Sequence, residues 1–232
     1  MGFMEEEKAK RIFWAGVLVF AAGIILMAIF AFMDVEWKTP AAVISFLVCG
    51  VLSLILIFKG APGMMASEAE KVCNKMKAEQ LFRFSFPGKD RLEQTLLAQG
   101  FQQEGAYYKK KKFSALKDSI TYYVKIAEGS HLETMIDQEF EAFNALEKKG
   151  TNFCLLLFLC LENLDIAALD LLKEIASAAI AEETVLNPHR DTNAVLTAVD
   201  PGTGTAYFMD IRGHKISLYA HGCKMLKELT GL

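Results

Sequence analysis

IFWAGVLVFAAGIILMAIFAFM, residues 12–33, and AAVISFLVCGVLSLILIF, residues 41–58, are runs of 22 and 18 residues without a charged side chain. At about 1.5 Å per helical residue, each approaches or exceeds a hydrocarbon core of roughly 30 Å. Inside that core a segment must pair its own backbone N–H and C=O groups, which selects the helix. The reading is a transmembrane hairpin over 12–58, with spans 12–33 and 41–58, after an N-terminal segment 1–11. The first run exceeds the roughly 7–15 apolar residues of a signal peptide. It also lacks a small-residue cleavage site before the turn, and a second span follows it, so it is expected to stay.

Orientation follows from Lys and Arg near the spans. Lys8, Lys10 and Arg11 precede the first span; Lys59, Lys71, Lys75 and Lys77 follow the second; the loop 34–40 holds only Lys38. Both termini are therefore expected in the cytoplasm, an arrangement that fits a bacterial inner membrane. Trp14 and Trp37 are the expected interface anchors, because indole has an apolar body and an N–H that stays wet. Ala41, Ser45, Cys49 and Ser53 recur every fourth position, and Gly16 and Gly23 lie one heptad apart. Such small residues let helix backbones approach closely, so Gly16, Gly23, Ser45, Cys49 and Ser53 are read as the packing face of the hairpin. The same face serves association between chains as an alternative. Neither span carries an ionisable residue, which argues against a pump or transporter.

Beyond residue 59 the chain carries 20 basic and 23 acidic side chains over 173 residues. That length supports one domain with a real core, and the balance gives no basic footprint for nucleic acid. The five cysteines are Cys49, Cys73, Cys154, Cys160 and Cys223, without a C-x-x-C pair. In a cytoplasmic setting they are expected as reduced thiols.

Lys59-Gly-Ala-Pro-Gly63 reads as the end of the second helix. A separate juxtamembrane linker helix follows within 59–80, with Met65, Ala69, Val72 and Met76 on one side. From residue 81 to 232 strands and helices alternate. Leu81–Phe86 is a strand and Asp90–Gln99 a helix ended by Gly100. Phe101–Lys112 and Ser119–Ala127 are strands. Ser130 and Glu133 form a capping box opening a helix that Gly150 closes. Phe153–Leu161 is nine consecutive apolar residues, too short for a span and suited to a strand buried on both faces. The order β-α-β-β-α-β is that of a ferredoxin-like split unit. That arrangement leaves its fourth strand at an edge, and Phe153–Leu161 is too apolar for one. The helix Asp165–Ala181, the strands Ala194–Val199 and Thr205–Ile211, and the helix Lys215–Leu229 are therefore expected to extend the unit by αββα. The expected fold class is membrane-anchored α+β, with a mixed sheet of about six strands.

The polar clusters carry little chemistry. Lys109, Lys110, Lys111 and Lys112, after Tyr107 and Tyr108, suit contact with an anionic surface, yet on a strand alternate lysines point apart. Asp200-Pro-Gly-Thr-Gly-Thr205 lacks the ending of a phosphate loop and reads as a turn. His189, Arg190 and Asp191 group an imidazole, a guanidinium and a carboxylate in one loop. Asp210 and Arg212 put arginine where a metal-dependent nuclease wants lysine. His131, His189, His214 and His221 have no zinc-type spacing. No catalytic residue, metal ligand or cofactor is assigned. The expected partners are the bilayer and a protein partner or further copies of this chain; nucleic acid is not expected. The expected function is a membrane-anchored interaction or scaffold domain. The alternatives are a membrane-tethered enzyme or ligand sensor acting on a nucleotide, lipid head group or nucleic acid, and a small oligomeric pore gated by the domain.

Overall fold

The computed structural model describes residues 3–33, 38–114, 118–146, 148, 150, 152–187, 191–211 and 217–232. The chain forms two compact units, Met1–Glu70 and Lys71–Leu232.

The first unit contains α1 (Phe3–Phe32) and most of α2 (Lys38–Ala78). Both helices are long and apolar enough to cross a membrane. The expected break at Lys59–Gly63 does not occur, because α2 runs through it with Pro62 inside the helix. Proline there removes one intrahelical hydrogen bond, a local loss that a long helix survives. The neighbouring glycines serve another purpose. A Cβ on Gly60 would lie 2.6 Å from the backbone nitrogen of Phe13, and one on Gly63 would lie 2.5 Å from Ala9 Cβ. The seam continues along the hairpin. A Cβ on Gly16 would sit 2.9 Å from Ile57, and one on Gly23 2.7 Å from Cys49. Ser53 is buried on the same unit, while Ser45 and Cys49 are half-buried. Trp14 is exposed, its ring edge-on to Phe13 at 6.0 Å; Trp37 lies outside the described residues.

The second unit is one seven-stranded sheet in the order β1-β7-β6-β5-β4-β3-β2. Its strands are β1 (Phe82–Ser85), β2 (Gln102–Glu104), β3 (Tyr107–Ser114), β4 (Asp118–Gly129), β5 (Phe153–Leu161), β6 (Thr192–Asp200) and β7 (Thr205–Phe208). β4, β5 and β6 are parallel, and the other pairings are antiparallel. On one face pack α3 (Lys89–Ala98), α6 (Leu218–Thr230) and Val72 and Met76 from the last turns of α2. On the other pack α4 (Leu132–Asn144) and α5 (Ile166–Ala181). All nine residues of β5 are buried.

A mixed sheet forms, and strands from the extension do lie beside β5. Its order is not the ferredoxin-like one, and it has seven strands rather than six. The stretch expected as one strand, Phe101–Lys112, is a hairpin of β2 and β3 that turns at Gly105, where φ is 62°. β1 pairs with β7 and not with the central strands. The cause is β5: apolar on both faces, it needs a strand on each side and helices above and below. β4 and β6 take the two sides, and β7 separates β1 from them. The capping box does not form either, since α4 starts after His131, with no side-chain cap. Ser130 is then one residue too early to reach the helix N–H groups. α4 ends at Asn144, ahead of Gly150. Asp165, by contrast, caps α5 by accepting the Ala168 N–H at 2.8 Å.

A single π-helical turn, Glu182–Leu186, closes α5 and swings Glu183 into the interior. Its carboxylate accepts the backbone N–H groups of Leu218 and Tyr219, the latter at 3.0 Å, and the Asn193 amide at 2.6 Å. One buried side chain thus caps α6 and ties it to the start of β6, with the positive end of the α6 dipole beside it.

Two expected outcomes follow. Gly60→Leu forces α1 and α2 apart and lowers the thermal midpoint of the full chain in detergent by the equivalent of about 1–3 kcal/mol. Glu183→Ala strands two N–H groups and an amide, and costs about 2–4 kcal/mol in urea unfolding. Glu183→Gln, which keeps an acceptor, should cost less.

Candidate functional site

The lysine run is divided by the strand that carries it. Lys109 donates to Glu104 at 2.8 Å and lies over the Tyr123 ring. Lys110 donates to the Gln99 carbonyl at 2.5 Å and lies over Phe101. Lys112 pairs with Glu228 of α6 at 3.0 Å. Lys111 is exposed. The structure therefore does not gather these four ammonium groups on one surface.

His189 and Arg190 lie outside the described residues, as do Arg212 and His214. Asp191 is at the rim of the sheet. Its carbonyl accepts the Phe153 N–H at 2.6 Å, and its carboxylate accepts the Thr192 hydroxyl at 3.4 Å. Lys148, over the Phe143 ring at 4.3 Å, has its pKa lowered by burial, with the Asp191 charge opposing that shift. Asp200 closes its own turn through Gly202 N–H, Thr203 N–H and the Thr203 hydroxyl at 2.7 Å. The Thr203 hydroxyl is the main cause of its lowered pKa. Asp210 pairs with Lys227 at 2.8 Å.

The residues that the fold does assemble are different ones. β4, β5 and β6 point their carboxyl ends the same way, where open parallel sheets bind ligands. There a crevice of about 600 Å³ is lined by Phe86, Gly88, Lys89, Glu128, Gly129, Cys160, Glu162, Pro201, Gly202 and Gly204. Each comes from a connection, a strand end or, for Lys89, the first turn of α3. Phe86 follows β1 and is tied to the turn by its N–H bond to the Gly204 carbonyl at 2.8 Å. Its ring lies 6.0 Å from that of Phe158. Gly88 begins α3 at φ 90°, a conformation that favours glycine, and it gives the helix no side-chain cap. Glu128 and Gly129 end β4, and Gly129 accepts the Glu162 N–H at 3.3 Å just past β5. Lys89 and Glu128 form an ion pair at 2.7 Å, with both side chains about half exposed. That contact raises the Lys89 pKa.

Cys160 is the thiol of this crevice, 7% exposed. Burial, reinforced by Glu128 and opposed by Lys89, pushes its pKa up to about 11. It is held as a neutral thiol near pH 7, a soft contact surface and a poor nucleophile. Cys154 and Cys223 lie deeper, with their thiols also pushed up by burial. Sequence reading passed over Lys89, Glu128, Cys160 and Glu162 because they come from three separate regions of the chain. The available signal was the turn 200–204 together with the expected strand ends. A second cavity of about 350 Å³ lies beside α4 and α5, among Phe140, Phe143, Ile175, Ala179 and Asn193. Among the described residues no cluster of three metal-ligating side chains occurs.

No protein-family model matches the chain, and no significant match is found among curated proteins or solved structures.

The raised thiol pKa has a measurable consequence. At pH 8 the thiolate fraction of Cys160 should be about a hundredfold below that of a thiol at the ordinary 9.0. Alkylation of the native full-length protein, followed peptide by peptide by mass spectrometry, should rise about tenfold per pH unit from 8 to 10 at Cys160. The sign for stability is the same: the unfolded thiol ionises first, so this group's contribution falls as pH rises from about 9 through 11.

Proposed function

We propose that this chain is a membrane-anchored small-molecule-binding domain, a sensor held at the cytoplasmic face of a membrane, in keeping with a bacterial inner membrane. Two spans would return the chain to the side on which it starts, and the lysines flanking them support a cytoplasmic side. The supporting observation is the crevice at the carboxyl ends of β4 and β5, with charge of both signs, a thiol and glycine backbone on its walls. Pockets of this size with a few convergent polar groups hold small ligands. Binding is proposed for it, and not turnover.

A second reading is an interaction or scaffold domain that binds a protein partner or its own copies at the inner leaflet. It is favoured by the edge of the sheet. Among the described residues β2 pairs with β3 only at Tyr107, Tyr108 and Lys109, so Lys110–Ser114 continue past it, and Phe113 on that stretch is 80% exposed. Lys110, Lys111 and Lys112 defend that edge against indiscriminate pairing, and Phe113 is the exposed apolar side chain it leaves for a contact.

The two readings separate by experiment. Full-length protein in nanodiscs is passed through a small-molecule extract, washed and examined by native mass spectrometry. Retention of a small molecule by the wild type, and its loss in Cys160→Phe with unchanged circular dichroism, is the expected result. Equal, empty spectra from both would sink the ligand reading. For the second reading, Phe113→Asp is expected to lower the mass found by sedimentation if β3 forms the contact; an unchanged mass would remove that edge from consideration.

A further inference from the structure

The crevice lining narrows the class of ligand. Lys89 and Glu128 line the crevice as an exposed ion pair in direct contact, and Glu162 adds a second carboxylate. Beside Lys89, α3 begins without a side-chain cap, its first intrahelical bond running from Leu92 N–H to the Gly88 carbonyl at 3.0 Å. The positive end of the helix dipole therefore reinforces the ammonium. The lining thus offers an ammonium to anions and two carboxylates to cations. The apolar surfaces of Phe86, Cys160 and Pro201 share it. No hydrogen bond among the described residues engages the Cys160 sulfur, although the residue is 7% exposed.

A ligand of one sign would meet one partner of that pair and face repulsion from the other. A simple carboxylate would bring a third negative charge beside Glu128 and Glu162. A simple amine would stand against Lys89 and the start of α3. A zwitterion meets both partners. It can insert into the Lys89–Glu128 pair, exchanging one ion pair for two. An exposed pair contributes little to stability, so opening it costs little. From this geometry we infer that the crevice takes a small zwitterion of the α-amino acid type with an apolar side chain. Its carboxylate sits at Lys89 and the start of α3, its ammonium at Glu128 and Glu162, and its side chain on Phe86, Cys160 and Pro201. This rests on the ligand-binding reading above and names the ligand class for that site.

The test uses the full chain in nanodiscs and two triplets of probes: L-leucine, 3-methylbutylamine and 4-methylpentanoate; and L-phenylalanine, 2-phenylethylamine and 3-phenylpropionate. Binding is read by calorimetry and by protection of Cys160 from alkylation. At least one amino acid is expected to bind tenfold or more tighter than its own amine and its own acid, and to slow Cys160 alkylation. Lys89→Met and Glu162→Gln should each weaken it tenfold or more, with circular dichroism unchanged. An amine or acid that binds as tightly as its parent amino acid, and protects Cys160, would overturn the zwitterion and leave the crevice as a ligand site. Silence from all six probes would also overturn it. In that case the ligand-binding reading survives only if the native mass spectra show another molecule retained by wild type and lost in Cys160→Phe.

Discussion

Everything in the second unit depends on β5 being buried on both faces. Phe153–Leu161 leaves no side chain for water. A strand of that kind needs hydrogen-bonding neighbours on both sides and apolar layers above and below it. β4 and β6 supply the neighbours, both parallel to it, and the connections that make them parallel are α4 and α5. The chain steps from β4 to β5 to β6 in one direction, so both crossovers fall on the same face, as a fixed crossover hand requires. The opposite face is then left for α3, α6 and the end of α2. Three parallel carboxyl ends gather at one rim as a result, and the crevice is there.

Glycine has two different roles in this chain. At Gly60, Gly63, Gly16 and Gly23 the missing Cβ lets two helices touch, and the helix continues. At Gly88 the missing Cβ permits a positive φ, and a helix starts. Composition alone does not separate the two roles. Lys59–Gly63, with a proline between its glycines, looks like a helix terminus; only the position of Ala9 and Phe13 on the facing helix explains why it is not one. A similar exchange occurs at α6. Its start is held in part by Glu183, 34 positions before Ser217, through a π-helical turn that no local pattern announces.

The lysine run shows how tertiary contacts reassign a conspicuous motif. Four consecutive cations suggest an anionic partner. On β3 they alternate between faces, and Lys109, Lys110 and Lys112 meet acceptors of their own chain. The residues of the crevice are inconspicuous by comparison. Lys89, Glu128, Cys160 and Glu162 gain meaning only when a parallel register brings the ends of β4 and β5 level and the start of α3 stands beside them.

The sequence by itself determined the two apolar helices, the alternation of strands and helices after residue 81, and the need to bury Phe153–Leu161 centrally. These follow from hydrophobic length and periodicity, which act over a few turns or a few strand residues. Tertiary structure alone decided the strand order, the division of Phe101–Lys112 into a hairpin, the continuity of α2 and the lining of the crevice. Those depend on which distant segments compete for the edges of β5 and for close approach to a glycine, and a competition between distant segments leaves no local pattern to read.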